Sequence, residues 1–282
     1  MTQHYDTLVL SGSSTKGIIF LGALQYLFDN YILKDIKYYI GTSAGSIISY
    51  LLIIGYTPVE IMVHICTKQV LEKMQSFNIL AMVQQRGAIS YSNIHEQLES
   101  MTISKIGYLP TLLDLKNKYD KVLVCTTHNI SDNLPEYLSY ETHPDLPCLV
   151  ALRMTSNLPL IFDNYQYGGN FYIDGAVSDN FPIDVGEKYG KRVFGITLNP
   201  DSDNSEFSTD PDIGVLEYIY KIIFTPINHI VRTKINNCRE NTTILKITDK
   251  RNIKFFRFDL HHSLKISMYS DGFELAKEFI EN

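Results

Sequence analysis

Gly41-Thr42-Ser43-Ala44-Gly45 decides how this chain is read. It follows a short apolar segment, Lys37-Tyr38-Tyr39-Ile40, and precedes another, Ile47 to Ile54. That order predicts a strand, a tight turn and a helix. A serine in such a turn sits on a sharp bend with its hydroxyl presented, and the flanking glycines permit backbone approaches that a Cβ would block. The helix that follows aims unpaired N–H groups and partial positive charge at the place where an oxyanion would form. On its own the pentapeptide also fits a small-residue strand-to-helix turn without chemistry.

Upstream, Leu8-Val9-Leu10 is a buried-strand pattern that runs into Ser11-Gly12-Ser13-Ser14-Thr15-Lys16-Gly17. Ile18 to Phe28, apolar nearly all round, then reads as a buried helix. A small-residue loop between strand and helix exposes backbone N–H groups suited to an anion. A nucleotide P-loop needs Gly-Lys-Ser/Thr at its end, and here Ile18 follows Gly17. A dinucleotide fingerprint needs glycine at Ser14 and a ribose-binding acid about 20 residues on, and neither is convincing. An oxyanion loop needs only N–H donors beside a nucleophile turn, and that turn comes next.

Far downstream, Phe171-Tyr172-Ile173 is a short strand pattern that leads into Asp174-Gly175-Ala176. An aspartate at a strand end followed by glycine suits a rigid, partly buried carboxylate, although Asp-Gly is also a common turn. Asp179-Asn180-Phe181-Pro182 adds a second polar turn expected to pack the same corner.

Together these motifs resemble the patatin-like phospholipase family, which carries a glycine-rich oxyanion loop, a G-x-S-x-G elbow and an Asp-Gly-Gly or Asp-Gly-Ala motif in that order. The resemblance runs from about Thr7 to about Leu198. It continues through Tyr137 to Thr142 and through Ala151-Leu152-Arg153-Met154-Thr155-Ser156, where the family shows Arg-Ala-Ser with a proline shortly after, here Pro159. Asp174, Gly175, Asn180 and Pro182 meet the family's Asp-Gly-Gly-x-x-x-Asn-x-Pro pattern. The resemblance implies an α/β fold of three layers, a mainly parallel central sheet with helices on both faces. It implies Ser43 and Asp174 as catalytic residues, and an oxyanion hole from Gly12, Ser13, Ser14, Lys16 and Gly17. Gly41, Thr42, Ala44 and Gly45 complete the elbow, and Gly175 and Ala176 the acid motif. The loop departs from the family's Gly-Gly-Gly-x-Lys/Arg-Gly at Ser13 and Ser14. Serine keeps the N–H donors but loses glycine's freedom to adopt positive φ.

Composition narrows the setting. A chain of 282 residues, 45% hydrophobic and 20% charged, can bury a sizeable core. No linker or repeat divides it, so residues 7–198 are expected to form a catalytic core and 199–282 a further part of the same domain. A net charge of −6 argues against a nucleic-acid partner. The start Met1-Thr2-Gln3-His4 lacks the pattern of a signal peptide, and the longest apolar run is too short to span a bilayer. Cys66, Cys125, Cys148 and Cys238 show no metal spacing and are expected as free thiols in a reducing compartment. The chain is therefore expected in the cytoplasm or peripherally at membrane surfaces, with no metal or cofactor.

The order strand 7–10, helix 17–28, strand 37–41, helix 44–55 predicts a parallel sheet. Further helices are expected from Pro58 to about Lys73, near Ile79–Gln85, Ser92–Met101, Gly214–Phe224 and Ser270–Glu281, and strands at Lys121–Thr127 and Arg192–Leu198. Asp201–Asp212 reads as a polar surface loop.

Serine needs a base to take its proton. A histidine triad in the order Ser, acid, His could use His229, His261 or His262, but that order belongs to a fold with several strands before its elbow. His261 and His262 also read as a solvated strand end. A Ser43–Asp174 dyad fits better, provided burial lifts the carboxyl from its ordinary value of about 3.9. The expected activity is that of a phospholipase A-like lipid acyl hydrolase acting on phospholipids or other acyl esters. A relative that binds lipid or a partner with little turnover is the alternative. Ile61–Met82 could line or cover an acyl pocket, or be ordinary core helices. Lys250–Phe258, which mixes cations with aromatics, could touch an anionic membrane or be a half-buried strand.

Overall fold

The computed structural model describes residues 4–67, 89–201, 215–249, 251 and 260–282. The sheet forms because β1 (Thr7–Leu10), β2 (Tyr38–Thr42), β3 (Val122–Asn129) and β7 (Val193–Leu198) are near-continuous apolar runs, the composition of strands covered on both faces. More polar strands flank them: β4 (Leu134–Leu138), β5 (Tyr165–Tyr167), β6 (Asn170–Asp174) and β8 (Thr242–Ile247). The order is β5-β6-β3-β2-β1-β7-β8, with β4 also on β3. β3, β2, β1, β7 and β8 run parallel, whereas β4, β6 and β5 are antiparallel additions.

Alternation along the parallel strands sends side chains to two cores. Leu8, Leu10, Leu123, Cys125, Phe194 and Ile196 face one side. There they meet α1 (Gly17–Asp29), α2 (Ala44–Ile53) and α9 (His262–Glu281). Val9, Ile40, Val122 and Val124 face the other. There they meet α7 (Ile183–Tyr189) and the inner face of α8 (Val215–Asn236). This is the three-layer architecture that the motifs imply.

α3 (Pro58–Thr67) and α4 (Ser92–Ile106) begin near the expected positions. The remainder of the Pro58–Lys73 pattern, the Ile79–Gln85 helix, residues 202–212 of the polar loop and, apart from Arg251, Lys250–Phe258 lie outside the described residues. α5 (Leu112–Tyr119) and α6 (Cys148–Thr155) were not anticipated. α5 carries a legible signal, a capping box in which Thr111 and Asp114 exchange side-chain bonds. The last helix starts eight residues before Ser270. His261 and His262 open this helix rather than closing a strand, with His261 Nδ1 accepting the Ser263 N–H at 3.3 Å. Asn282 follows it, and all four cysteines are free thiols. Among the described residues no single helix is long and apolar enough to cross a membrane.

Candidate active site

Strand register assembles the site. Thr42 at the end of β2 pairs with Thr126 of β3, and the next β3 residue, Thr127, pairs with Asp174 at the end of β6. β3 thus brings together two strand ends, and the residues that they place in contact are 131 positions apart in the chain. Ser43 Oγ donates to Asp174 Oδ2 at 2.6 Å.

Ser43 is held at φ 54°, ψ −122°, a conformation an L-residue adopts at a cost of about 1–3 kcal/mol. The glycines beside it make that bend possible. A Cβ on Gly41 would stand 2.6 Å from the Ser46 amide nitrogen, and one on Gly45 2.4 Å from the Leu10 carbonyl oxygen. Close contact of the first turn of α2 with β1 and β2 is therefore a requirement on both positions. Thr42 locks the same corner, its hydroxyl donating to the Asp179 carbonyl at 2.9 Å. Ala44 opens α2.

The carboxylate is fully buried. Its second oxygen, Oδ1, accepts the Ala176 N–H at 2.8 Å, which caps the short turn Gly175–Val177. Gly175 passes so close to β3 that a Cβ there would stand 2.2 Å from the Thr126 carbonyl oxygen. Burial raises the Asp174 carboxyl to about 7, against the pull of its bonds from Ser43 and Ala176. A carboxylate near neutrality is a far better base for a hydroxyl than an ordinary aspartate.

The loop after β1 lies beside this pair. The Gly12 N–H donates to the Asn180 carbonyl at 3.0 Å, and Asn180 Nδ2 returns a bond to the Gly12 carbonyl at 3.3 Å. The Lys16 N–H is taken by the Ser13 carbonyl, and the Gly17 N–H by the carbonyls of Ser14 and Thr15. Three of the five residues expected to supply the hole thus have their amides already bonded, those of Lys16 and Gly17 within the loop and that of Gly12 to Asn180. Ser14 stands at φ 48°, the left-handed region, in spite of its side chain. The Lys16 ammonium points away to the buried carboxylate of Asp249, 3.9 Å off.

Two further residues matter. The Ser43 N–H donates to Thr155 Oγ1 at 2.9 Å, and that hydroxyl donates onward to the Thr126 carbonyl. The Asp174 N–H donates to the Asn157 carbonyl at 2.9 Å. Thr155 lies within the Arg153-Met154-Thr155 stretch and was legible as part of a motif, but not in this role. Asn157 gave no signal. Of the histidines weighed as bases, His261 is engaged with Ser263 and His229 lies exposed on α8.

The family model described as Patatin-like phospholipase matches residues 8–186. A protein of Invertebrate iridescent virus 6 named probable lipid hydrolase 463L is 36% identical over 196 residues, 67% of this chain and 66% of that relative's own length. An uncharacterized protein of Acanthamoeba polyphaga mimivirus, R571, is 25% identical over 97% of this chain and 93% of its own. Among solved structures, VipD from Legionella pneumophila matches with a TM-score of 0.57 at 14% identity, covering 99% of this chain and 67% of that one. At that identity the likeness is one of fold.

Proposed function

Because the chain belongs to the patatin-like phospholipase family, we propose that it is a serine lipid acyl hydrolase of phospholipase A type that uses a Ser43–Asp174 dyad. The observation that carries this reading is the 2.6 Å bond from Ser43 Oγ to a buried carboxylate raised to about 7. Ser43 Oγ attacks the ester carbonyl while its proton passes to Asp174 Oδ2. The tetrahedral oxyanion is received by the Ser13 N–H and by the first-turn N–H of Ala44. Collapse expels the alcohol or lysolipid, which leaves with the proton from Asp174. Water then attacks the acyl-enzyme and gives its proton to Asp174. Release of the fatty acid returns that proton to Ser43. Phospholipids or other acyl-ester lipids are the substrate class, met at a membrane surface, and the dyad calls on no metal or cofactor.

The test is the reaction of the purified protein with a fluorophosphonate and with a short-chain nitrophenyl ester. Ser43→Ala removes both, and Asp174→Asn is nearly as damaging, whereas the double change His261→Ala, His262→Ala leaves turnover in place. Turnover that survives Ser43→Ala overturns the nucleophile. A wild-type protein inert to both reagents points instead to lipid binding with little turnover. The positive φ of Ser14 favours the active form, since the loop already holds the backbone shape that glycine would give it.

A further inference from the structure

From the geometry around the end of α6 we infer that Asn157 and Arg153 are positioning residues for the catalytic carboxylate, and that this helix end sets the separation of the two dyad members. The inference rests on the Ser43–Asp174 reading. Asn157 grips β6 on both sides of Ile173. Its carbonyl accepts the Asp174 N–H at 2.9 Å, and its Nδ2 donates to the Tyr172 carbonyl at 2.7 Å. Two residues earlier, Thr155 Oγ1 accepts the Ser43 N–H. One short rigid segment therefore holds the backbone of nucleophile and base together.

Arg153 holds the Asn157 side chain. Its Nη1 donates to Asn157 Oδ1 at 2.6 Å, which orients the amide so that Nδ2 faces β6. The guanidinium is itself fixed from three directions. Nη2 donates to the Asp163 carbonyl at 2.8 Å, and the Asp163 carboxylate lies 3.3 Å away. The rings of Tyr91 and Tyr165 lie 4.2 and 5.0 Å from its centre. Arg153 is 5% exposed and Asn157 2%. Burying a guanidinium carries a desolvation cost, which its pairing with a half-exposed Asp163 offsets only in part. An apolar side chain would pack this helix end more cheaply, but it could not aim the Asn157 amide. Among the described residues, the Ser43 hydroxyl from the elbow bonds Asp174, and the ionisable groups that face it are Tyr91 ahead of α4 and Tyr220 from α8, with Arg153 behind Asn157.

Two conservative variants test this. Arg153→Lys keeps the cation and loses the fork. Asn157→Ser keeps the main-chain bond to Asp174 and loses the side-chain grip on Tyr172. In both, kcat on a nitrophenyl ester is expected to fall by about 10- to 100-fold, since a 1 Å misplacement costs about 10², while KM stays within about two-fold. The Asp174 carboxyl, followed by NMR of carboxyl-labelled aspartate and assigned with Asp174→Asn, is expected to titrate at lower pH in Asn157→Ser as water reaches a loosened strand. Unchanged kcat and an unchanged titration in the folded variants overturn the inference, as does a rise in KM at constant kcat. Should Asn157→Ser fail to fold by circular dichroism, Arg153→Lys decides by the same readings. The titration needs no turnover, so an inactive wild type counts against the proposed function while the positioning role is still read.

Discussion

The amide of Ser43 and the hydroxyl of Thr155 form a bond of 2.9 Å that no ordinary strand or helix would provide. Ser43 stands between β2 and α2 at positive φ, so its N–H belongs to neither ladder. Thr155 accepts that bond and donates its own hydroxyl to the Thr126 carbonyl, which ties the elbow to the neighbouring strand.

Thr155→Val should therefore leave a buried N–H unpaired, at a cost of about 1–3 kcal/mol. It should lower kcat by about 10-fold or more as the elbow relaxes. Thr155→Ser keeps the hydroxyl and should stay within a few-fold of wild type. Thermal melts and steady-state kinetics of the pair check this. Equal behaviour of valine and serine would remove the hydroxyl from the account.

The rate should follow the ionisation of Asp174. In the proposed dyad only the carboxylate form of Asp174 can take the serine proton, so kcat/KM should rise with pH and level off above about 7. A limb near the ordinary carboxylate range would show a hydrated, unperturbed base.

Stability should run the other way. The folded state holds the Asp174 proton up to about 7, whereas the free side chain releases it at 3.8. The folded protein therefore binds more protons between those values, and stability falls as pH rises through that window. At about 1.4 kcal/mol per unit, the loss is on the order of a few kcal/mol. Asp174→Asn cannot ionise, so its melting temperature relative to wild type should be higher at pH 8 than at pH 4. The catalytic penalty and the stability gain in one variant would mark Asp174 as a base kept at a cost to the fold. A difference that does not vary with pH would contradict the buried carboxyl.

Ser14 already occupies the left-handed region at φ 48°. Ser14→Gly should relieve roughly 1 kcal/mol of strain, offset by a similar gain in unfolded-chain entropy. Its kcat should change only a few-fold. Ser14→Val places a β-branched side chain in that conformation and should destabilise more strongly. Kinetics and melts of both variants decide; a gain near 10² in kcat for Ser14→Gly would mean that the serine distorts the hole.

Lys234 of α8 reaches Asp179, 2.7 Å away, whose buried carboxylate also accepts the Tyr137 hydroxyl. Lys234→Met should cost roughly 3 kcal/mol by leaving that charge without its cation. Burial already raises the Asp179 carboxyl against the pull of Lys234. Without the lysine it rises further, so the loss should shrink as pH falls and the carboxyl takes a proton. Chemical denaturation at pH 5 and pH 8 reads this, and equal losses at both would refute it.

The local parts of this protein were written in its sequence. The run Leu8-Val9-Leu10, the apolar helix from Ile18 and the glycines about Ser43 state a strand, a helix and a sharp turn, because each depends on residues within one turn or a few positions. Ser43 and Asp174 both stood out as candidates, since each sits at a strand end beside glycine. The edge strands β4, β5 and β8 did not, because short mixed segments take their conformation from the strands they join. Resemblance put Asp174 forward as the acceptor for Ser43, but the residues alone could not show their contact. That followed from β3 lying between β2 and β6 in one register, a choice made by packing over 131 residues of separation. The amides of the loop after β1 were expected to face a substrate, yet Gly12 turns to Asn180 across 168 residues. Local pattern determines which groups a segment can offer. Long-range hydrogen bonds, strand register and burial determine which of them meet, and it is burial that raises the Asp174 carboxyl far above its ordinary range.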